Sequence, residues 1–283
     1  LLRHRLTHEV EIFHSPDFIP PAFGVRRRIV TVHDLTFLYY PDFLTAESRR
    51  YYADQIEWAV SAADHIIADS EATRIDLINL LGVPASRVTT VHMAVNPIYT
   101  GAYPMQEIHK TVAELGVGEG YILGVGTLEP RKNWPMLLKV YDVLRREYRI
   151  SVPLVLVGGK GWKYGEIFDT IAHLGLDSNV LHLSGVSDVQ LAHLYRAAGV
   201  LAFPSHYEGF GLPALEAMHA GCPVVASNRG SLPEVVGDAA ISLDPDDLDG
   251  WVMALNRVLR DPEYAQSLAL AGLNQARKFT WAN

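Results

Sequence analysis

Hydrophobic and polar residues alternate along the chain in a pattern that is typical of an α/β protein. Short apolar runs rich in β-branched residues recur throughout, and several contain no polar residue at all. Strands of this kind are expected where helices cover both faces of a parallel sheet. The predicted strands are Ile29–His33, His65–Ala68, Val88–His92, Tyr121–Val125, Leu154–Val157, Val180–Leu183, Val200–Phe203, Val224–Ser227 and Ala240–Leu243.

Longer segments with helical spacing of their apolar residues lie between these runs. Ser70 is a predicted N-cap, and Gly82 follows the same segment where a glycine commonly ends a helix. The predicted helices are Glu71–Leu80, Trp134–Glu147, Tyr164–Leu174, Asp188–Ala198, Pro213–Ala220, Leu248–Leu259 and Tyr264–Lys278. Regular alternation of strands and helices predicts doubly wound parallel sheets.

A stretch rich in glycine and proline divides this pattern in two. Six predicted strands follow it, enough for a complete nucleotide-binding lobe, whereas only about three precede it. We therefore predict a partial N-terminal lobe at 1–100, a linker at 101–119 and a C-terminal lobe at 120–283. The sequence does not begin with methionine, and we expect that both ends are cut.

Composition narrows the class of protein. The net charge is −8 at pH 7, so a basic surface for nucleic acid is not expected. The single cysteine, Cys222, permits no internal disulfide and suits a reducing, cytoplasmic compartment. The twelve histidines lack the spacing of metal ligands, and we therefore expect no metal site.

The most informative segment joins the strand Val200–Phe203 to a helix through a loop that contains Gly209 and Gly211. These glycines let the backbone approach a ligand closely, and the helix N-terminus favours a phosphate. Glu208 lies before the helix and Glu216 lies one turn inside it. Two such carboxylates can bind hydroxyls at separate points of one elongated ligand, such as a sugar and a ribose. Each carboxylate taken alone is equally consistent with a solvated loop or first-turn residue.

A basic pair, Arg131 and Lys132, follows the strand Tyr121–Val125 and precedes a helix. That position borders the ligand crevice of an open α/β sheet. Fixed cations there stabilise negative charge on a departing phosphate. The alternative is a solvated pair at a helix entrance. The Gly-x-Gly run ending at Gly126 lacks the third glycine of a dinucleotide fingerprint, which disfavours NAD.

These segments resemble the glycosyl transferases group 1 family of retaining glycosyltransferases, within the glycogen-synthase-like superfamily. Glu208 and Glu216 stand in the run Glu-Gly-Phe-Gly-Leu-Pro-Ala-Leu-Glu-Ala, which looks like the signature of that family. Further similar segments are Phe13–Asp17, Thr31–Leu35, Ile67–Thr73 and Gly124–Asn133. The resemblance implies a GT-B fold, in which two Rossmann-like lobes with parallel sheets face a cleft and the donor is bound without a metal. Compared with a complete GT-B fold, we expect the N-terminal lobe of this sequence to be incomplete.

The resemblance also implies roles for individual residues. Glu216 would bind the ribose of the donor, Glu208 and His33 would contact the donor sugar, and Lys132 would bind phosphate. Many members carry arginine where this chain has Thr127, and Arg131 is expected to compensate. The predicted catalytic residues are His33, Glu208, Lys132 and Arg131. The predicted donor-binding residues are Gly126, Thr127, Arg131, Lys132, Gly158, Val186, Glu208, Gly209, Phe210, Gly211, Leu212 and Glu216.

The segment Val32–Phe37 and the following Tyr40-Pro41 look most like bacterial mannosyltransferases of polysaccharide assembly. The expected reaction is retaining transfer of a hexosyl group to a glycan or lipid-linked acceptor, with GDP-mannose as the preferred donor and UDP- or ADP-glucose next. A lipid-linked acceptor would bring peripheral contact with the inner face of the membrane. Two alternatives remain open, a nucleotide-sugar epimerase of the same fold and a non-catalytic fragment that binds nucleotide-sugar. No cofactor is expected.

Overall fold

The structure is a computed structural model that describes residues 10–19 and 25–282. These residues form two compact units. The first contains the described residues up to Met93 together with Glu208–Phe210, and the second contains Ala94–Tyr207 and the residues from Gly211 onward. Each unit contains one parallel sheet with helices between its strands. The predicted α/β class is therefore confirmed.

Among residues 10–19 and 25–93, the sheet of the first unit has four parallel strands in chain order. They are β1 (Ile12–Ser15), β2 (Arg27–Val32), β3 (His65–Ala68) and β4 (Val88–Thr90). The sequence predicted about three strands and missed β1. Only Ser15 of β1 is buried, so the strand lacks the apolar run by which the others were recognised.

Three helices of the described residues accompany this sheet. They are α1 (Thr36–Tyr39), α2 (Ala46–Ala62) and α3 (Glu71–Leu81). Helix α3 confirms its predicted caps, because the Ser70 side chain accepts from the backbone N–H of Thr73 and Gly82 adopts a φ of +63°. Helix α2 was not predicted, since only three of its 17 residues are buried and its apolar periodicity is weak.

The sheet of the second unit has six parallel strands in the order β10-β9-β8-β5-β6-β7. They are β5 (Ile122–Val125), β6 (Leu154–Val157), β7 (Val180–Leu183), β8 (Val200–Phe203), β9 (Val224–Ser227) and β10 (Ile241–Leu243). Numbered within the unit, this is the 3-2-1-4-5-6 order of a Rossmann fold. Such sheets bind ligands at the carboxyl ends of the strands where the order reverses, which here is the junction of β5 and β8.

Helices connect these strands and cover the sheet. They are α4 (Pro97–Thr100), α5 (Met105–Glu114), α6 (Trp134–Arg146), α7 (Gly165–Leu174), α8 (Asp188–Ala197), α9 (Leu212–His219), α10 (Leu232–Val236), α11 (Leu248–Arg260) and α12 (Pro262–Ala276). Helix α5 lies within the stretch predicted as a linker and is fixed to α8, since Thr111 Oγ1 lies 2.8 Å from His193 Nδ1. Its buried residues are Ile108 and Val112. None of the helices that the structure describes combines the length and apolar character needed to cross a bilayer.

Trp134 anchors the segment that follows β5. Its side chain is fully buried and packs directly over Gly124, where an added Cβ would lie 2.6 Å from the indole ring. The indole N–H donates to the carbonyl of Thr127 at 3.1 Å. Helix α6 therefore lies close against β5, and the short connection between them is held in one conformation.

Candidate functional site

Lys132 occupies the β5–β8 junction of the second unit. It ends a 3-10 turn, Pro130–Lys132, and the next residue, Asn133, has a left-handed backbone conformation. The side chain of Lys132 is buried, with 6% exposed, and its Nζ lies 4.9 Å from the ring centroid of Phe203 at the end of β8. The Lys132 ammonium thus lies where the strand order reverses, at the place predicted for a phosphate-binding cation.

Gly126 and Gly158 shape the backbone around that lysine. Gly126 has a φ of +148°, and a Cβ there would lie 2.9 Å from Lys132 Cε. A Cβ on Gly158 would lie 2.0 Å from the carbonyl oxygen of Gly126. The loops after β5 and β6 therefore interlock, and only glycine fits where they meet. Both glycines were predicted to bind the donor, and the structure shows that protein contacts alone also require them.

Arg131 contacts protein groups on both sides of the β5–β8 junction. Its guanidinium lies 2.8 Å from Glu129 Oε1 and donates to the carbonyl of Tyr207 at 3.0 Å. The backbone N–H of His206 donates to the carbonyl of Arg131 at 2.9 Å. Glu129 is 3% exposed, so the ion pair is largely removed from solvent. Arg131 joins the loop after β5 to the loop after β8, a structural role that the sequence did not suggest.

Glu216 lies in α9 beneath the loop that follows β8. The hydroxyl of Tyr195, a fully buried residue of α8, donates to Glu216 Oε2 at 2.8 Å. Burial raises the pKa of Glu216 from its ordinary value of 4.5 to about 7; the Tyr195 hydrogen bond opposes this rise and the charge of Asp188 adds to it. A carboxylate held in this way is poised to exchange a proton near neutral pH.

The start of α9 offers fewer backbone donors than its sequence suggested. Gly211 has a φ of +98°, and the N–H groups of Ala214 and Leu215 both donate to its carbonyl. Pro213 has no N–H to give. The helix dipole remains directed at the loop, but the N–H groups of Ala214 and Leu215 are already used within the helix. Leu212 begins the helix and is partly exposed.

Thr127, after β5, and Val186, after β7, lie in loops at the same edge of the sheet, on either side of β6. A Cβ on Gly161 would lie 2.7 Å from Thr127 Cγ2, so the loop after β6 packs directly on Thr127. Val186 is half-buried in the loop between β7 and α8, next to Gly185 with a φ of +71°. The structure thus brings the predicted residues of the second unit to the carboxyl ends of β5 to β8.

His33 follows β2 in the first unit and is held at both ring nitrogens. Nδ1 lies 2.6 Å from Asp69 Oδ2, and Nε2 lies 3.0 Å from the carbonyl oxygen of Pro16. The hydrogen bond with Asp69 raises the pKa of His33, and partial burial works against that rise. Asp69 lies in the segment Ile67–Thr73, which resembles the family, but the sequence indicated no role for it. Asp69 follows β3 and His33 follows β2, and these strands are neighbours in the sheet. This placement after adjacent parallel strands could have predicted that the two side chains lie close together.

Glu208–Phe210 belong to the first unit. Glu208 is 6% exposed. A Cβ on Gly209 would lie 2.2 Å from the carbonyl oxygen of His33, so glycine is required there. The Thr73 hydroxyl donates toward the carbonyls of His33 and Gly209, at 3.2 and 3.5 Å. Phe210 is 4% exposed, with its ring centroid 6.0 Å from that of His92. His33 and the Glu208 segment are therefore neighbours, as expected if both contact one sugar.

Comparison with known proteins agrees with this arrangement. Residues 105–275 match the family Glycosyl transferases group 1, and residues 1–98 match Glycosyltransferase Family 4. The chain is 35% identical over 272 residues to O-antigen chain mannosyltransferase B of Escherichia coli, covering 96% of this chain and 71% of that protein. It is 30% identical over 274 residues to the serotype-specific mannosyltransferase WbdA of Escherichia coli, covering 93% of this chain but only 33% of WbdA.

The fold is also that of a solved structure. Sucrose-phosphate synthase from Thermosynechococcus elongatus superposes with a TM-score of 0.79 at 23% identity, covering 99% of this chain and 72% of that protein. The likeness identifies the fold as GT-B, as predicted. The epimerase and the non-catalytic alternatives are not favoured, since the matched relatives are named as transferases. The family match spans more than half of the sequence, and the chain belongs to the glycosyl transferases group 1 family.

Proposed function

We propose that this glycosyltransferase moves a mannosyl group from a nucleoside-diphosphate sugar, preferentially GDP-mannose, to a glycan or lipid-linked acceptor with retention of anomeric configuration. The observation that carries the proposal is the buried ammonium of Lys132 at the β5–β8 junction, in the same unit as the Glu216 carboxylate. A cation and a carboxylate in one Rossmann-like unit match the diphosphate and the ribose of such a donor. The choice of mannose is supported by the names of the relatives.

The proposed chemistry needs no separate base. The acceptor hydroxyl oxygen forms a bond to the anomeric carbon while the bond from that carbon to the β-phosphate oxygen breaks. The departing phosphate oxygen takes the acceptor proton, so charge and atoms balance. Lys132 stabilises the negative charge that grows on the phosphate, and the dipole of α9 contributes in the same direction. With these groups neutralising the diphosphate, transfer is expected to continue in the presence of a metal chelator.

His33 and Glu208 are proposed to contact the transferred sugar. Both belong to the first unit, and Gly209 lies directly against the His33 backbone. Glu208 can accept hydrogen bonds from sugar hydroxyls, whereas a protonated His33 can donate to a sugar oxygen. Arg131, predicted to assist at the diphosphate, is proposed instead to hold the loops around it, because Glu129 and Tyr207 engage its guanidinium.

The experiment that tests this function is a transfer assay with GDP-mannose, UDP-glucose and ADP-glucose as donors and a panel of glycan acceptors. We expect transfer from GDP-mannose and an α-linked product by nuclear magnetic resonance. Preference for a glucosyl donor would overturn the mannosyl assignment, and a β-linked product would overturn retention. Hydrolysis or epimerisation of the donor without transfer to any acceptor would overturn the function itself.

Variants locate the donor site. Lys132→Met is expected to lower kcat by roughly two to three orders of magnitude, the usual effect of removing a group that stabilises transition-state charge. Lys139→Met changes an exposed lysine of α6 and serves as the matched control. Equal loss in both variants, or full activity in Lys132→Met, would contradict the assignment of Lys132.

A further inference from the structure

We propose that Asp69 is a positioning residue that holds His33 as an imidazolium, so that His33 serves the transfer as a charged hydrogen-bond donor to a sugar oxygen and not as a base. The inference rests on the proposed function, in which His33 contacts the sugar. It assigns a role to Asp69, which lies after β3 and forms no part of the donor contacts described above.

The hydrogen bonds of His33 show which protonation state fits. Its ring nitrogens lie 2.6 Å from a carboxylate oxygen of Asp69 and 3.0 Å from the carbonyl oxygen of Pro16. An ionised carboxylate and a backbone carbonyl can only accept hydrogen bonds. A neutral imidazole has one N–H and leaves one of these acceptors facing a lone pair. The imidazolium has two N–H groups and satisfies both acceptors together.

Burial of the Asp69 carboxylate strengthens its hydrogen bond with the His33 ring. The Asp69 side chain is 9% exposed, whereas that of His33 is 54% exposed, so the carboxylate forms the inner end of the pair. A charge-assisted hydrogen bond is strongest where solvent is excluded from one partner. The backbone is fixed as well, since the Thr73 hydroxyl donates to the carbonyl of His33 and Gly209 packs against the same oxygen.

The electrostatic surroundings agree with this geometry. The hydrogen bond with Asp69 is the largest influence on the pKa of His33 and raises it. Partial burial lowers the pKa, while the negative charge of Asp69, the Pro16 carbonyl and the charge of Asp17 raise it further. Within the part of the chain that the structure describes, no cationic group contributes to the shift. The acidic neighbours therefore all favour the charged ring.

The chemical consequence concerns where protons go. An imidazolium has no lone pair, so it cannot take the acceptor proton, and it leaves that role to the departing phosphate oxygen. Its exposed Nε2–H donates to Pro16, and a sugar oxygen can take the place of that carbonyl. Loss of the His33 proton at higher pH removes a charged donor from the site, and transfer should fall with it.

The test compares Asp69→Asn with the parent by two measurements. Histidine side-chain nuclear magnetic resonance titration, with His33→Gln to assign the signals, gives the pKa of His33 without any assay of function. We expect a value above the ordinary 6.5 in the parent and a fall of about 1 to 2 pH units in Asp69→Asn, because a neutral amide replaces the carboxylate. The alkaline limb of the kcat/KM profile should move down by the same amount.

Asp17→Asn is the matched control, since Asp17 influences His33 by charge alone and contributes least. It should shift the pKa of His33 much less than Asp69→Asn.

If Asp69→Asn fails to fold, the ring nitrogen chemical shifts of the parent at neutral pH decide whether His33 is charged. A neutral parent ring, or an unchanged pKa in Asp69→Asn, overturns the proposal. A shifted pKa with a stationary activity profile overturns the role in transfer. If the parent transfers no sugar, the proposed function is wrong, but the titration still shows whether Asp69 keeps His33 charged.

Discussion

Nucleotide binding by the second unit should depend on the ionisation of Glu216, and Tyr195→Phe should shift that dependence to higher pH. The ionised carboxylate can accept hydrogen bonds from both ribose hydroxyls, whereas the protonated acid must keep one oxygen as a donor. Burial raises the pKa of Glu216 to about 7, and the Tyr195 hydroxyl, 2.8 Å from Oε2, counteracts that rise. Removing the hydroxyl therefore makes ionisation harder.

The magnitudes follow from these observations. Below a pKa of about 7, the affinity of a ligand that requires the carboxylate should fall about tenfold for each pH unit. A hydrogen bond to a charged group contributes roughly 1.5 to 3 kcal/mol, which corresponds to roughly 1 to 2 pH units. The binding curve of Tyr195→Phe should move upward by that amount and reach the plateau affinity of the parent only at alkaline pH.

The same pKa predicts a change in the stability of the nucleotide-free protein. The pKa of Glu216 is higher in the folded chain than its ordinary 4.5, so the folded state binds more protons between pH 4.5 and about 7. Stability should therefore fall as the pH rises through this window, by roughly 3 kcal/mol in total. Glu216→Gln should abolish this fall, as measured by urea unfolding at a series of pH values.

Isothermal titration of the parent and Tyr195→Phe with GDP between roughly pH 5.5 and 9 measures the shift in binding. Ionisation of the ligand phosphate is common to both proteins and cancels in the comparison. Tyr141→Phe is the matched control, because Tyr141 is also buried and donates to the carbonyls of Val152 and Asn179. Coincident midpoints for parent and Tyr195→Phe, or an unchanged pH dependence in Glu216→Gln, would refute the reasoning.

Two further predictions concern the loops at the sheet edge. Gly158→Ala should lower the free energy of unfolding by about 1 to 3 kcal/mol, because its Cβ would meet the Gly126 carbonyl. A Cβ on Gly159 would meet no atom within 4 Å, so Gly159→Ala should lower the free energy of unfolding far less; equal urea midpoints for the two variants would contradict this expectation. Arg131→Gln should cost roughly 1 to 3 kcal/mol, because the buried Glu129 loses its ion-pair partner. Lys110→Gln disrupts a pair with Glu114 that is exposed at both ends and should change stability by less than about 1 kcal/mol; a tolerant Arg131 variant would show that the ion pair with Glu129 does not support the fold.

Continuous apolar runs made the sheet of the second unit predictable. Strands Leu154–Val157, Val180–Leu183, Val200–Phe203 and Val224–Ser227 have the bounds that the sequence predicted. Leu154–Val157 and Val200–Phe203 are apolar and buried at every residue, as is typical of strands covered on both faces by helices. Helix α2 and strand β1 escaped prediction because few of their residues are buried, and their sequences do not record a buried face.

The site residues divide in a similar way. The positions of Gly126, Lys132 and Glu216 at the sheet edge could be predicted, because each residue lies after a strand or near a helix start. Tyr195 and Asp69 were not found, since each acts through a partner distant in sequence, 21 residues away for Tyr195 and 36 for Asp69. Only the packing of α8 on α9 and the pairing of β2 with β3 bring these partners together.

Arg131 lies where the sequence placed it, and it makes contacts that the sequence did not suggest. The sequence places it beside Lys132 after β5, where a second cation would replace the arginine that many family members carry at the position of Thr127. Thr127 itself is packed against Gly161, so a larger side chain there would displace the loop after β6. Arg131 meanwhile spans Glu129 and the Tyr207 carbonyl, one on each side of the β5–β8 junction. Its charge is already balanced by a buried carboxylate, and we therefore propose that Arg131 acts by fixing the two loops beside Lys132.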